Sequence, residues 1–214
     1  MTSSPDWHLV LPIKGGSSAK SRLHVPGVNR ADLAAALALD VLDAVAAADL
    51  ASVCVVTSDP WMAAAAADHD VAVLPDPGLG LNAAARVGLA AAPARNARGV
   101  LLADVPALTA STLREALATC SQYPRAFVPD RHGWGTVLLT AAPRVPAPIH
   151  FGPDSAIAHA NVGYERLDLE LPGLRTDVDT AADWRVAALI GLGAHTRVFA
   201  GSPALQPGAA GPAG

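Results

Sequence analysis

The first hundred residues alternate between short aliphatic runs and longer stretches with helical spacing, which limits the possible folds more than any other feature of the chain. The aliphatic runs have the length and apolarity of strands buried on both faces, and they occupy residues 8–13, 52–57, 71–74 and 100–103. In the first helical stretch an apolar residue recurs every four positions, at Leu33, Leu37, Val41 and Val45. Strands and helices alternating with short connections predict a parallel, doubly wound α/β sheet with helices on both faces.

Helix starts in this half are marked by capping residues and by proline. Asn29 is a predicted N-cap for a helix that extends to about Ala48. Pro60 suits the first position of the next helix, because its fixed φ is already helical. Asn82 is placed to cap a helix over residues 82–92.

The second half of the chain changes character, because two of its predicted strands are separated only by a tight turn. Residues 126–130 and 136–140 are predicted strands that pair back on each other around the glycine-containing turn 131–135. Pro153 suits the first position of a following helix, and residues 164–169 form a last predicted strand. The sheet is therefore expected to be mostly parallel but mixed.

Composition excludes several functional classes. The chain has 15 Lys and Arg against 19 Asp and Glu, so its net charge of −4 argues against a nucleic-acid partner. No apolar run reaches the roughly 18 residues of a membrane span, and no signal peptide is visible. Cys54 and Cys120 are far apart and suit buried thiols in a reducing cytoplasm. We therefore predict one cytoplasmic domain over residues 1–200, followed by a disordered Pro/Gly/Ala tail over residues 201–214.

Three aspartates are candidate metal ligands. Asp104 ends the run at 100–103, where open α/β sheets bind ligands, although it also suits a turn or a helix cap. Asp177 and Asp179 are two residues apart in an extended segment and point to the same side. If both lie near Asp104, their charges need a cation, and hard oxygen ligands suit Mg²⁺ on a nucleotide phosphate. The alternative is that Asp179 or Thr180 merely caps the last long helix.

A glycine- and serine-rich loop with three cations follows the first predicted strand. Its backbone N–H groups and hydroxyls can surround a phosphate, while Lys14, Lys20 and Arg22 supply positive charge. The loop matches neither a Walker P-loop nor a dinucleotide-binding motif, so a solvated surface loop is the alternative. Asn82 can present its amide to a base or a ribose, or it can act only as a cap. No nucleophile with a neighbouring histidine base is recognisable.

Six segments of the chain carry a further signal, and they are PIKGGSSAKSRL (12–23), GLNAA (80–84), LLADVPAL (101–108), DRHGWGT (130–136), FGPDS (151–155) and RTDVDTAAD (175–183). Together they resemble the guanylyltransferases of coenzyme F420 biosynthesis, and the likeness covers roughly residues 8–197. The resemblance implies a single-domain, Rossmann-like nucleotidyltransferase fold. It also implies a Mg²⁺-dependent reaction of GTP with phosphoenolpyruvate, giving enolpyruvyl-diphospho-5'-guanosine and pyrophosphate.

The same resemblance implies roles for individual residues. The metal would be held by Asp104, Asp177 and Asp179. These three aspartates would also be catalytic residues, and Lys20 would be a fourth. Phosphoenolpyruvate would be held by Thr136, Gly152 and Ser155. GTP would face Lys14, Lys20, Arg22 and Asn82.

Related activities stay open on the sequence alone. The acceptor could be 2-phospho-L-lactate or 3-phosphoglycerate, since the sequence does not resolve small phosphorylated acids that differ by a double bond or a hydroxyl. A catalytically silent nucleotide-binding module on the same fold is a second alternative, and an unrelated cytidylyl- or sugar-nucleotide transferase is a third. Neither a nucleic acid nor a membrane is an expected partner, and the oligomeric state is left open.

Overall fold

The computed structural model describes residues 5–14 and 28–201, and these residues form one mixed sheet flanked by helices. The strands are β1 (Trp7–Pro12), β2 (Ser52–Thr57), β3 (Ala72–Pro75), β4 (Ala97–Leu101), β5 (Arg125–Pro129), β6 (Thr136–Ala141) and β7 (Glu165–Arg166). The helices are α1 (Arg30–Ala46), α2 (Pro60–Asp68), α3 (Leu81–Ala90), α4 (Ala110–Cys120), α5 (Ser155–Asn161), α6 (Pro172–Arg175), α7 (Ala181–Ile190) and α8 (Ala194–Arg197).

The strand order is β3-β2-β1-β4-β6-β5-β7, and it divides the sheet into two halves. In the parallel half, β1 pairs with β2 and β4, and β2 pairs with β3, all in parallel. In the second half, β6 is antiparallel to both β4 and β5, and β7 adds in parallel to β5. The carboxyl ends of β1 to β5 and the amino end of β6 therefore share one edge, which we call the carboxyl edge.

The two faces of the sheet are covered by different helices. Because side chains alternate along a strand, Leu9 and Leu11 of β1 pack with α1 and α4, whereas Val10 packs with α3 on the other face. Helix α3 lies unusually close to the sheet: a Cβ added to Gly88 would lie only 2.2 Å from Val10 Cγ1. The doubly wound α/β architecture predicted from the alternating pattern is confirmed.

A third apolar cluster ties the carboxyl-terminal helices to α1. Trp184 of α7 is fully buried against Leu33 and Leu37 of α1. Asp40 of α1 also anchors α8, because its carboxylate accepts hydrogen bonds from the backbone N–H groups of His195 and Thr196 at 2.8 and 3.0 Å. The segment after residue 177 is thus fixed to α1.

Several predicted boundaries are confirmed. Strand β2 spans the predicted residues 52–57, and Pro60 is the first residue of α2. Asn29 caps α1, and its side chain accepts a hydrogen bond from the N–H of Ala31. Local chemistry decides these positions, so the sequence alone was sufficient to find them.

Two predicted helix starts are wrong. Gly80 rather than Asn82 is the N-cap of α3, because its φ of +87° turns the chain into the helix earlier. Helix α5 begins at Ser155, so Pro153 is not its first residue. A turn closed by the hydrogen bond from the Ser155 N–H to the Gly152 carbonyl, 3.2 Å, contains the proline instead.

The predicted strand at 164–169 is shorter than expected, since only Glu165 and Arg166 pair as β7. The strand pairing ends there, and the Arg166 guanidinium instead donates two hydrogen bonds to the Asp168 carboxylate, at 2.8 and 3.0 Å. Most of the predicted phosphate loop and almost all of the predicted disordered tail lie outside the described residues.

Within residues 5–14 and 28–201, no helix is long and apolar enough to cross a membrane. Both cysteines are free and buried, as predicted. Burial raises the pKa of each thiol, Cys54 and Cys120, to about 11. The two thiols therefore stay protonated at neutral pH and pack as small apolar side chains.

Candidate active site

The carboxyl edge carries a cavity beside the end of β1. The cavity has a volume of about 120 Å³ and is lined by Pro12, Ile13, Lys14, Asp76, Gly78, Gly80, Leu81 and Ala84. The loop after β3 is shaped by Asp76, whose carboxylate accepts a hydrogen bond from the Gly78 N–H at 2.9 Å. Of the residues predicted to face GTP, Lys14 lines this cavity, whereas Lys20 and Arg22 lie outside the described residues.

The three predicted metal ligands converge at the same edge. Asp104, Asp177 and Asp179 each offer a carboxylate oxygen, and these oxygens lie within 4.8 Å of one another. The N–H of Val178 donates to the backbone carbonyl of Asp104 at 2.9 Å, which joins the two segments directly. Three carboxylates this close repel one another unless a cation lies between them, and an all-oxygen donor set suits a hard divalent ion such as Mg²⁺.

The segment that carries two of these acids is held by the start of α7. Thr180 is the N-cap and forms a capping box with Asp183. The Asp183 carboxylate accepts hydrogen bonds from the N–H of Thr180 at 2.8 Å and from the N–H of Asp179 at 3.2 Å. Of the two caps considered in the sequence, Thr180 is therefore correct, and Asp179 belongs to the carboxylate cluster.

Asp183 also connects the carboxylate cluster to the β5–β6 turn. Its second oxygen lies 2.5 Å from the Arg131 guanidinium. The backbone N–H of Arg131 donates to the backbone carbonyl of Arg175 at 2.7 Å. Burial alone would raise the pKa of Asp183, but the hydrogen bonds from Arg131 and Thr180 outweigh it and lower that pKa. Asp183 is thus charged at neutral pH and holds two parts of the edge together.

The residues predicted to hold phosphoenolpyruvate lie in the antiparallel half. Thr136 begins β6 and Ser155 begins α5, and each is only 2% exposed. The N–H of Ala156 donates to the carbonyl of Trp134 at 3.0 Å, so α5 is fixed to the β5–β6 turn. Gly152 has a φ of +145°, which other residues rarely adopt, and this explains the glycine there.

Asn82 makes contacts that the sequence did not reveal. Its side-chain N–H donates to the carbonyl of Phe151 at 2.8 Å, and its side-chain oxygen accepts from the Phe151 N–H at 2.8 Å. The amide thus links the first turn of α3, beside the cavity, to the loop that leads into Gly152. A pair of residues 69 positions apart leaves no local pattern, so neither the cap nor the ligand interpretation of Asn82 anticipated this link.

His159 is a second residue that sequence reasoning missed. It is fully buried, and its Nδ1 lies 2.9 Å from the Thr136 hydroxyl. Burial, together with the nearby His150, lowers the pKa of His159 to about 4, so the ring is neutral at physiological pH. One signal was available, because Ser155 and His159 are four residues apart and so share one face of a helix.

Comparison with known proteins places the chain in a family. Residues 32–154 match the MobA-like NTP transferase domain. Curated relatives named phosphoenolpyruvate guanylyltransferase are 38–44% identical to this chain. The one from Salinispora arenicola is 44% identical, over 94% of this chain and 97% of that protein. Those from Thermomonospora curvata and Streptomyces coelicolor are 42% and 41% identical, over 95% and 91% of this chain and 92% and 95% of theirs.

Solved structures support the same fold. A putative nucleotide-diphospho-sugar transferase from Desulfovibrio desulfuricans is 19% identical with a TM-score of 0.69, over 94% of this chain and 96% of that one. A Mycobacterium tuberculosis protein in complex with manganese is 18% identical with a TM-score of 0.53, over 86% of this chain and 98% of that one. The resemblance found in the sequence is confirmed, and the chain belongs to the phosphoenolpyruvate guanylyltransferase family within the MobA-like NTP transferases.

Proposed function

We propose that this protein transfers GMP from GTP to phosphoenolpyruvate in coenzyme F420 biosynthesis, giving enolpyruvyl-diphospho-5'-guanosine and pyrophosphate. The observation that carries the proposal is the convergence of Asp104, Asp177 and Asp179 at the carboxyl edge of a chain from this family. We further propose that residues 1–200 form one catalytic domain that acts in the cytoplasm.

The three carboxylates are the proposed ligands of Mg²⁺. Their oxygen atoms are close enough to share one ion, and oxygen is the ligand that Mg²⁺ prefers. When bound, the ion would neutralise charge on the reacting phosphates and on the leaving pyrophosphate. Asp183 keeps this cluster in place, since its carboxylate fixes the backbone N–H groups of Asp179 and Thr180.

We propose that GTP binds at the carboxyl edge beside β1, with only part of the molecule in the cavity of about 120 Å³. Lys14 lines that cavity, and Lys20 and Arg22 follow in the same stretch of sequence, where they would neutralise the triphosphate. We give Lys20 the further task of stabilising the departing pyrophosphate. Asn82 adjoins both substrates: it is next to the cavity-lining Leu81, and its amide binds the Phe151 peptide.

We propose that phosphoenolpyruvate binds at Thr136, Gly152 and Ser155. An oxygen of its phosphate attacks the α-phosphorus of GTP, and the bond from that phosphorus to the β-phosphate oxygen breaks. Pyrophosphate leaves with the bonding electron pair, so the reaction needs no covalent intermediate with the protein. The contribution of the protein is to bring two anions together in line and to offset their repulsion.

Product analysis tests the proposal. The protein is incubated with GTP, Mg²⁺ and one acceptor at a time, and the products are identified by mass spectrometry. We expect the dinucleotide-like product with phosphoenolpyruvate, and at most slow conversion of 2-phospho-L-lactate or 3-phosphoglycerate. Product from phospholactate but not from phosphoenolpyruvate would overturn the choice of acceptor. Absence of product from every acceptor would favour a catalytically silent nucleotide-binding protein.

A further inference from the structure

The protonation state of the buried His159 ring follows from its contacts. The backbone N–H of His150 donates to Nε2 of His159 at 3.1 Å, and a backbone amide nitrogen can only donate. Nε2 is therefore unprotonated. Since the ring is neutral at pH 7, its single proton is on Nδ1.

The same proton fixes the direction of a hydroxyl in the acceptor region. Nδ1 lies 2.9 Å from the Thr136 oxygen, so its N–H donates to that oxygen. A hydrogen bond with the Ser155 backbone raises the His159 pKa against the effect of burial, so the Ser155 carbonyl also accepts from the ring N–H. A protonated Nδ1 cannot accept a hydrogen bond, so the Thr136 hydroxyl must donate its own proton to another acceptor.

We propose that His159 is a positioning residue that makes the Thr136 hydroxyl a donor to the anionic acceptor substrate. This inference rests on the proposed function, because it takes the oxygens of a small phosphorylated acid as the ligand of Thr136. Such oxygens only accept hydrogen bonds, so a hydroxyl whose oxygen is already occupied by an N–H donor is oriented correctly before the ligand arrives.

Aromatic rings keep the imidazole in this orientation. The ring centroids of Phe151, Tyr164 and Phe127 lie 5.3, 5.5 and 6.0 Å from that of His159, and the first two contacts are edge-to-face. A half-turn of the imidazole would set Cε1 against the His150 N–H and Cδ2 against the Thr136 hydroxyl, and both hydrogen bonds would be lost. The enclosure therefore favours one ring orientation and one tautomer.

The first test is the nitrogen spectrum of the folded protein. Two-bond ¹H–¹⁵N correlation of the His159 ring distinguishes protonated from unprotonated nitrogens without any turnover. We expect a protonated Nδ1 and an unprotonated Nε2 at pH 7, and a tautomer with its proton on Nε2 would overturn the inference. Because this readout needs no substrate, it is independent of whether phosphoenolpyruvate is the acceptor.

The second test uses two amide substitutions of similar polarity. In His159→Asn the amide nitrogen can occupy the place of Nδ1 and still donate to Thr136, whereas in His159→Gln the amide reaches only the place of Nε2. We expect His159→Gln to raise the KM for phosphoenolpyruvate about tenfold, the order expected for one hydrogen bond to a charged group. The rise in the KM for phosphoenolpyruvate should be clearly smaller in His159→Asn. The KM for GTP should change less than twofold in both variants, because a twofold change is about 0.4 kcal/mol and a substitution away from a binding site has effects of that size.

A double substitution separates positioning from packing. Thr136→Val removes the hydroxyl, so His159→Gln should add little to the KM for phosphoenolpyruvate in that background. If His159→Gln adds its full factor there, the histidine acts through packing and the inference is wrong. If the unaltered protein forms no product at all, the proposed function fails instead, while the ring spectrum still decides the tautomer.

Discussion

The parallel and antiparallel halves of the sheet present their functional residues in different ways. In the parallel half, the candidate residues lie in loops after strand ends, where Lys14 is exposed and Asp104 is half-buried. In the antiparallel half, Thr136, Ser155 and His159 are buried and bonded within the protein interior. The nucleotide side is therefore formed by loops, whereas the acceptor side forms together with the core.

This difference predicts how function and stability are coupled. A loop residue that contacts few core atoms can be changed with loss of activity but little loss of stability. A buried polar residue that binds several neighbours affects both, because an unsatisfied buried group costs about 1–3 kcal/mol. Substitutions in each half, measured for turnover and for unfolding, test whether function and stability are coupled in this way.

The largest effect is expected for Asp177→Asn, which removes one carboxylate charge from the cluster. We expect kcat to fall by about 10³-fold, because metal stabilisation of transition-state charge is worth several kcal/mol. The free energy of unfolding should change little. Steady-state kinetics with Mg²⁺ and urea unfolding measure the two quantities, with Asp68→Asn at the far end of α2 as the matched control. Near-normal kcat in Asp177→Asn would remove Asp177 from the metal site.

The next effect is a pH dependence of stability that comes from His159. Its ordinary pKa is 6.5, whereas burial lowers the pKa in the folded protein to about 4, so the unfolded chain binds more protons between these values. The contribution of His159 is constant above pH 6.5 and falls by about 3 kcal/mol as the pH drops to 4. Urea unfolding at several pH values, compared with His159→Gln, isolates this slope. If the difference in free energy of unfolding between the unaltered protein and His159→Gln does not change with pH, the ring is not buried in its neutral form.

A smaller loss is expected where Asp183 joins the two halves. Asp183→Ala removes the capping box and the Arg131 ion pair, and should lower the free energy of unfolding by about 2 kcal/mol. Because the pKa of Asp183 is lowered in the folded protein, this stabilisation is present above about pH 4. It disappears as the pH falls through the lowered value. Equal stability of the two proteins at pH 7 would show that the halves are held together by other contacts.

The smallest effect is expected for Asn82→Asp. Asn82 links α3, which packs on the parallel half, to Phe151 in the antiparallel half. The change keeps the acceptor for the Phe151 N–H but sets a carboxylate oxygen against the Phe151 carbonyl. We expect the KM for phosphoenolpyruvate to rise about tenfold, or 1.4 kcal/mol, with a smaller rise for GTP. Asn161→Asp, an exposed amide at the end of α5, is the control. A rise confined to GTP would assign Asn82 to the nucleotide side alone.

The two halves also differ in how far the sequence predicts them. The parallel strands and the Asn29 cap follow from short-range patterns. The approach of Asp104 to Asp177 follows only from the family resemblance, because Asp177 comes after helix α6 rather than at the end of a parallel strand. The pairing of Asn82 with Phe151, and of His159 with Thr136, joins residues 69 and 23 positions apart. Buried polar contacts of this kind depend on the packed core, so no periodicity or motif announces them.

Anomalous diffraction from crystals grown with Mn²⁺ and GTP tests the central claim, that the acidic cluster at the carboxyl edge is the metal centre. We predict an ion bonded to the carboxylates of Asp104, Asp177 and Asp179. A second group in the described residues, Asp40, Asp43 and His195, also has ligand atoms within 4.8 Å of one another, but the Asp40 carboxylate already binds the backbone of α8. An ion at that second group, with none between the three aspartates, would show that the acidic cluster at the carboxyl edge is not the metal centre.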